Sequence, residues 1–167
     1  MTQTFETLFL HTAKICLIKH QVEQVKACLR ALNDTQIWWR PNTGANAIGN
    51  LVLHLCGSTR FYLVHAISEA DDVRDRSAEF SDREEIPREE LLQQVDNMVI
   101  EVERVLEMFD QTQLLKTNDR TRKTSTNGQV ILYQLLHFST HVGQLVYATK
   151  LLKEGAIDEL WRQTNPN

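Results

Sequence analysis

Two histidines, His137 and His141, lie four residues apart in the segment "QLLHFSTHVGQLVYATKLL". On an α-helix, side chains at positions i and i+4 differ in direction by about 40°, so both imidazoles project from one face and can bind one metal ion. The chain contains six histidines, and chance alone would give such a pair with a probability of about 0.2. The pair therefore needs a third ligand before it indicates a metal site.

His54, in the segment "NAIGNLVLHLCGSTRFYL", is the candidate for the third ligand. It falls on the apolar face of a predicted helix, where an imidazole without a partner would cost about 1–3 kcal/mol. Three neutral imidazoles leave at least one coordination position open, which is typical of catalytic zinc sites and also suits nickel or iron. The alternative is that the three are hydrogen-bonded core or surface histidines, and spacing alone does not separate the two interpretations.

Four polar residues near these histidines are weaker candidates for groups that orient a ligand or a substrate. Tyr133 and Gln144 lie about a turn on either side of the histidine pair, and Asn50 and Ser58 lie on the face of His54. Such residues commonly hydrogen-bond to metal ligands or to substrates, but each is equally explained as a polar residue at the margin of the core. Neither segment offers Asp or Glu on its histidine face, so metal activation alone would have to suffice, or a general base would come from the loops.

Four long segments have the i, i+3, i+4, i+7 apolar spacing of amphipathic helices. They run from about Thr4 to Leu32, Asn46 to Glu69, Pro87 to Phe109 and Asn127 to Lys153. Asn46 is predicted as an N-cap, Pro87 as a first helical residue and Gly155 as a C-cap. Gly143 is expected to let a neighbouring helix approach closely. Because no segment predicts a strand of convincing length, the fold class is all-α, a four-helix bundle.

The connection between the second and third predicted helices is long and polar, at about 17 residues. When extended it could span about 55 Å, which exceeds the length of about 36 Å of a 24-residue helix. The two helices can therefore run parallel. The length of 167 residues fits a single domain covering residues 1–167.

Composition and charge predict a soluble protein of the cytoplasm. A net charge of −4 disfavours non-specific nucleic-acid binding, which requires a basic surface. No segment approaches the run of about 18 apolar residues of a membrane span, and the N-terminal segment does not have the pattern of a signal peptide. The cysteine count is odd, at three, without the spacing of a metal motif, which predicts reduced thiols.

The histidine segments resemble those of the DinB superfamily of metal-binding four-helix bundles, in particular a branch described only as a domain of unknown function. The similarity is carried by "NAIGNLVLHLCGSTRFYL", by "LLHFSTHVGQLVYATKLL" and by "RDRSAEF", Arg74 to Phe80. It covers essentially the whole chain by order of elements. The resemblance implies a mononuclear divalent metal site, zinc or nickel, with His54, His137 and His141 as ligands.

The resemblance also implies an up-down-down-up topology, a homodimer and a small-molecule substrate. Characterised members of the superfamily include transferases and isomerases that use low-molecular-weight thiols such as bacillithiol or mycothiol. The implied activity is that of a metal-dependent thiol S-transferase, or a related hydrolase, acting on a small electrophile. The alternative is a non-catalytic, stress-related dimeric bundle in which the metal stabilises the fold or binds incidentally.

Overall fold

The fold consists of four long helices, as described by a computed structural model covering residues 4–68, 70–81, 86–121 and 125–164. The side chains of residues 81, 161, 163 and 164 are not described. The first bundle helix (residues 5–31) and the second (residues 48–68) each contain a π-helical segment. The helical segments are Phe5–Lys14, Ile15–Gln21 (π) and Val22–Ala31 in the first, then Ile48–Thr59, Arg60–His65 (π) and Ala66–Ser68 in the second. The third bundle helix is Arg88–Met108 and the fourth is Asn127–Leu152.

Shorter elements connect and flank the bundle. They are the helices Asp34–Ile37, Ala78–Ser81 and Asp158–Thr164, a 3-10 turn at Gln111–Gln113, and the antiparallel two-residue strands Thr117–Asn118 and Ser125–Thr126. The second strand leads directly into the fourth bundle helix, where Thr126 and Gln129 form a capping box. Both side chains satisfy backbone groups at the helix start, which fixes where the fourth helix begins.

Contacts between the helices fix their directions. The first and third helices are antiparallel, because Lys14 contacts Glu107 and the later Lys26 contacts the earlier Asp96. The second and fourth are antiparallel as well, because His54 contacts His137 and the later Thr59 contacts the earlier Gln134. The first helix runs parallel to the fourth. Near its start, Thr7 bonds Gln111 of the turn whose Gln113 oxygen accepts from Asn127, where the fourth helix begins, and at its end Ala31 bonds Lys153, just after the fourth helix ends. The second and third helices are therefore parallel, and the predicted up-down-down-up topology is confirmed.

Apolar side chains fill the space between the four helices. The largest fully buried ones include Leu17, Leu29, Leu55, Leu91, Met98, Ile131, Phe138 and Leu145. The few polar side chains at this depth have to find partners, because an unpaired buried polar group is costly. Asn118 illustrates the point, since its amide nitrogen donates to Ala66 O at 2.7 Å and to Asn127 Oδ1 at 2.8 Å, while its oxygen accepts from Arg120 N. The same requirement applies to the buried histidine of the second helix.

Several details differ from the sequence-based predictions. The N-cap of the second helix is Ala47, which forms no side-chain cap, so the prediction of Asn46 was wrong. Pro87 takes the N-cap position rather than the first helical one. Gly155 follows the C-cap Lys153 and adopts a φ of 69°, a conformation open to glycine at little cost. A side chain at Gly143 would meet nothing within 4 Å among the described residues, so no helix of this chain approaches it.

The predicted end of the second helix, Glu69, lies outside the described residues. The final residues described within that helix are Ala66–Ser68. Within the described part of the chain, no helix is both long enough and apolar enough to cross a membrane.

Candidate metal centre

Three imidazoles converge between the second and fourth bundle helices. The Nε2 atom of His137 lies 3.2 Å from Nε2 of His54 and 3.2 Å from Nε2 of His141. One ligand atom from each of the three lies within 4.8 Å of the others. Nitrogen ligands about 2.0–2.1 Å from a tetrahedral zinc ion lie about 3.3 Å apart, so this spacing already resembles that of a ligand set.

His54 is fixed by a buried carboxylate from the connection between the second and third helices. Its Nδ1 atom lies 2.8 Å from Oε2 of Glu79, and both side chains are about 7% exposed. Arg74 holds the same carboxylate with two bonds, from Nε to Oε1 at 2.6 Å and from Nη2 to Oε2 at 2.8 Å. Because the Arg74 guanidinium only donates and the carboxylate only accepts, Glu79 accepts the hydrogen of His54 Nδ1, and the Nε2 lone pair of His54 is left to face the other two imidazoles.

Backbone packing allows Glu79 to approach the second helix so closely. A Cβ added at Gly57 would lie 2.0 Å from Glu79 Oε1, so only glycine accommodates the carboxylate as it is placed. The Asn50 side chain donates to the backbone oxygen of Glu79 at 3.0 Å, and its own oxygen accepts from Arg40 at 2.6 Å. These contacts hold the short helix Ala78–Ser81 against the second bundle helix. The carboxylate of Glu79 is thereby placed next to His54.

Glu79 is charged in this environment. Burial by itself would raise the pKa of its carboxyl, but the hydrogen bonds and charges of Arg74 and His54 outweigh burial, and the pKa lies below its ordinary value. A charged carboxylate bonded to an imidazole makes that imidazole a better metal ligand and fixes the orientation of its ring.

His141 is fixed more lightly, by its neighbour on the same helix. The Oε1 atom of Gln144 lies 2.8 Å from Nδ1 of His141 and accepts its hydrogen, which again leaves the Nε2 lone pair free. His137 Nε2 lies between two such lone pairs but could donate a hydrogen to only one of them. Its Nδ1 atom is buried and has no partner among the described residues.

The imidazoles of the fourth helix stay neutral. Burial, followed by the charges of His141, His54, Arg74 and Arg76, lowers the pKa of His137 to about 4, and burial also lowers the pKa of His141. Neutral imidazoles are the form that binds metal. The Nε2 atoms of the three histidines converge, and a single hydrogen on His137 cannot bond to both of its neighbours. A cation can accept all three lone pairs, so the three nitrogens fit a divalent metal ion.

The four weaker candidates have different positions. Gln144 hydrogen-bonds directly to His141, one of the three metal-ligand candidates. The Tyr133 ring stacks near His137, at 6.0 Å between centroids and 15° between planes, and is 52% exposed. Asn50 acts through the backbone of Glu79, and the Ser58 hydroxyl donates to Leu55 O at 3.2 Å within its own helix.

The sequence of the two histidine helices does not predict the roles of Glu79 and Arg74. Neither lies on those helices, and nothing in their spacing relative to His54 indicates that they meet it. The available signal was composition: Glu79 stands between Ala78 and Phe80, in a connection that is otherwise strongly polar. A short apolar interruption of this kind favours docking onto the bundle, and the Phe80 ring lies 4.8 Å from the ring of His54.

A cavity of about 1020 Å³ opens beside the histidines. His54 and His137 form part of its wall, and Ser58 and Tyr133 line it as well. Its size is at the upper end of the range of about 300–1,000 Å³ typical of small-molecule sites. A small substrate placed there would lie against two of the three metal-ligand candidates.

Comparison with known proteins agrees with this architecture. A crystal structure of a DinB-like protein from Bacillus cereus ATCC 10987 superposes with a TM-score of 0.67 at 16% sequence identity, covering 91% of this chain and 95% of the other. This similarity establishes the DinB-like fold. No curated protein matches the sequence. The family described as "Protein of unknown function (DUF1572)" matches residues 4–163, and the chain belongs to that family.

Proposed function

We propose that this member of a family without an assigned activity is a metal-dependent enzyme with a mononuclear three-histidine site, acting on a small electrophile. The reaction proposed is thiol S-transfer or a related hydrolysis. The observation that carries the proposal is the convergence of His54, His137 and His141 through their Nε2 atoms beside a cavity. The thiol chemistry comes from the resemblance to the DinB superfamily and not from the geometry.

Zinc or nickel is the proposed ion. Imidazole nitrogens suit both metals, and three protein ligands leave a position open for a substrate. When bound, such an ion supplies a Lewis acid that lowers the pKa of a thiol or a water molecule beside it. His54, His137 and His141 are the residues that would hold it.

The other residues of the site act as positioning residues. Glu79, itself held by Arg74, fixes the ring of His54, and Gln144 fixes the ring of His141. The cavity admits the substrate, and Tyr133 forms part of the wall next to His137. In an S-transfer, sulfur forms a bond to the electrophilic carbon, the leaving group departs with the bonding electron pair, and the thiol proton passes to solvent.

An external thiol is required because the two buried cysteines are unsuited to attack. Burial raises the pKa of Cys56, two residues after His54, to about 12, and burial also raises that of Cys28. A thiol that stays protonated at neutral pH is a poor nucleophile. Cys16, Cys28 and Cys56 are all free, which supports the proposal of a reducing cytoplasmic location.

Metal content tests the site. Untagged wild-type protein, loaded with zinc or nickel and freed of excess ion, is expected to retain about one equivalent by elemental mass spectrometry. His54→Ala and His141→Ala are expected to lose it, whereas His20→Ala, at an exposed histidine of the first helix, should retain it. Equal metal retention in all four proteins, or none in the wild type, would rule out the proposed centre.

Turnover tests the activity. Monochlorobimane, which becomes fluorescent on S-alkylation, is offered with bacillithiol, mycothiol, cysteine or glutathione to the metal-loaded protein. The proposal predicts a rate above the uncatalysed one for at least one thiol, absent in His141→Ala and intact in His20→Ala. Metal binding without turnover of any thiol pair, or of a panel of esters and amides for hydrolysis, would favour the non-catalytic bundle.

We also propose that the chain forms a homodimer through the fourth helix. Its outer side exposes Tyr147 and Leu151 at 68% and 63%, and Gly143 lies nearby with open space in front of it. Light scattering on a sizing column should give twice the chain mass of 19.3 kDa. Tyr147→Ser combined with Leu151→Glu should give a monomer, whereas Ile100→Glu, at an exposed apolar residue of the third helix, should not.

A further inference from the structure

The cavity beside the histidines extends well beyond them along the second bundle helix. His54 lines it at one end and His65 lines it eleven residues later, a separation of roughly 16 Å at 1.5 Å per residue. The π-helical segment Arg60–His65 lies between them, and such segments are often found at functional sites. The cavity therefore has room for a molecule that reaches the histidines with one end while its other end lies near His65.

Positive charge predominates on the cavity wall. Among the described residues, three arginines line it, Arg74, Arg76 and Arg120, and one carboxylate, that of Asp72. Arg74 is neutralised by Glu79, and Asp72 accepts the backbone N–H of Arg74. Arg76 and Arg120 form no ion pair within the described part of the chain. Two guanidinium groups therefore line the cavity without an ion-pair partner among the described residues.

The two guanidinium groups lie toward different ends of the cavity. Arg76 follows Arg74 by two residues and lines the cavity, and Nη2 of Arg74 lies 3.2 Å from Nδ1 of His54, so Arg76 belongs to the end of the cavity at the candidate metal centre. Arg120 lies at the other end, where Nη2 donates to Ala70 O at 2.7 Å, the same oxygen that accepts from His65 Nδ1. Its Nε–H is buried without an acceptor among the described residues. Because Nε itself is closed to solvent, a ligand in the cavity would bond the Nη groups of Arg120 rather than Nε.

Aromatic side chains form the wall between these charges. The rings of Tyr62 and Tyr133 face each other across the second and fourth helices at 5.0 Å between centroids, and Phe61 stacks on His65 at 5.4 Å. All four residues line the cavity. Rings at these positions favour a flat or apolar portion of a ligand.

We infer that the cavity binds an organic oxyanion, a molecule whose carboxylate or phosphate group is held by Arg76 or Arg120 while its apolar portion lies against Tyr62 and Tyr133. Where Arg120 holds the oxyanion, the other end of the molecule reaches the candidate metal centre, and only in this assignment does the inference rest on the proposed function. Guanidinium groups donate paired hydrogen bonds that match carboxylate and phosphate oxygens. A ligand of positive charge would instead be repelled by the same wall.

Binding of small aromatic probes tests the inference. Isothermal titration compares phenyl phosphate and benzoate with uncharged benzyl alcohol and with benzylammonium, each added to the full-length protein with zinc and after removal of metal by chelation. In the metal-free protein at least one of the two anions should bind about tenfold or more tightly than benzyl alcohol, and benzylammonium should bind most weakly. Phenyl phosphate and benzoate together show whether phosphate or carboxylate is preferred.

Arginine variants identify the groups responsible. Arg76→Gln and Arg120→Gln should each weaken anion binding, by about tenfold for whichever contacts the oxyanion, without changing the binding of benzyl alcohol. Arg76 is exposed and its side chain donates no hydrogen bond to the described residues, so its variant remains informative even if Arg120→Gln fails to fold. Arg30→Gln, at an exposed arginine of the first helix outside the cavity, is the matched control.

Two results would overturn the inference: no preference for the anions in the metal-free protein, or an anion affinity that Arg76→Gln and Arg120→Gln both leave unchanged. Neither result bears on the metal centre, because the titrations compared are those without metal. Conversely, loss of the metal centre as a hypothesis would leave the anion titrations interpretable.

Discussion

The two helices that carry the histidines hold them in different ways. On the second bundle helix, His54 is buried and bonded to Glu79, which two bonds from Arg74 hold in turn. On the fourth, His141 is bonded only to Gln144 of its own helix, and His137 Nδ1 has no partner in the described part of the chain. The difference indicates that one side of the site is rigid before metal binds, while the other side has more freedom to adjust to the ion.

Two glycines show the same contrast in packing. Gly57 follows His54 by three residues and lies against Glu79, while Gly143 follows His141 by two and has open space in front of it. A substitution that adds only a methyl group therefore tests each side separately.

The largest effect is expected for Gly57→Ala. The new Cβ would overlap Glu79, so the carboxylate has to leave its place, at a cost of about 1–3 kcal/mol in the free energy of unfolding, and His54 loses its partner as well. Gly143→Ala should instead stabilise the helix by about 0.5–1 kcal/mol. Urea unfolding of both variants, together with zinc titration, measures the difference. Equal stability changes would contradict the contrast between the two sides.

A smaller effect is expected for Glu79→Gln, which keeps the shape of the side chain but removes its charge. Loss of a carboxylate bonded to a ligand histidine should weaken zinc or nickel binding by about 10–100-fold. Competition with a chromophoric chelator measures the change in affinity. Asp71, exposed in the same connection, provides the control: Asp71→Asn should leave the metal affinity unchanged.

Acidification should destabilise the metal-free protein because His137, on the fourth bundle helix, is buried in its neutral form. The pKa of His137 is about 4 in the folded state, below the value of about 6.5 for an unperturbed histidine. Between these values the unfolded state binds more protons, so the stability contributed by neutral His137 is fully present above about pH 6.5 and is lost as pH falls toward 4. The shift corresponds to about 3 kcal/mol, which partial solvent exposure reduces to about 1–2 kcal/mol.

Denaturant unfolding at pH 7.0 and pH 4.5 measures this loss. His137→Gln, which cannot titrate, should show a smaller loss than the wild type over the same interval. An equal loss of unfolding free energy in both proteins would show that groups other than His137 cause the acid sensitivity.

The smallest effect is expected for Gln144→Ala. One neutral hydrogen bond on a partly exposed histidine contributes about 0.5–1.5 kcal/mol, so metal affinity should fall by about tenfold or less, clearly less than in Glu79→Gln. The same chelator competition compares the two variants directly. An effect of Gln144→Ala as large as that of Glu79→Gln would show that the fourth-helix side is as firmly held as the other.

The sequence was sufficient for the helices and for the three ligand candidates. Apolar periodicity located the four long helices to within a few residues, because each must bury one face against the others. The four-residue spacing of His137 and His141 fixed their common face. The histidine of the second helix could be chosen because a polar ring on an apolar face has to be paired. These conclusions depend on local geometry that the chain itself sets.

Only the tertiary structure showed how His54 is paired. Glu79 and Arg74 reach it from the long connection, and their positions depend on Gly57 leaving space and on Asn50 holding the backbone of Glu79. Nor could it be predicted that Arg76 and Arg120 line the same cavity, since 43 residues of chain, 77–119, separate them. Spacing predicts which residues share a face of one helix, because helical geometry is fixed. Contacts between a connection and a helix depend on the packing of the whole bundle, and no periodicity encodes them.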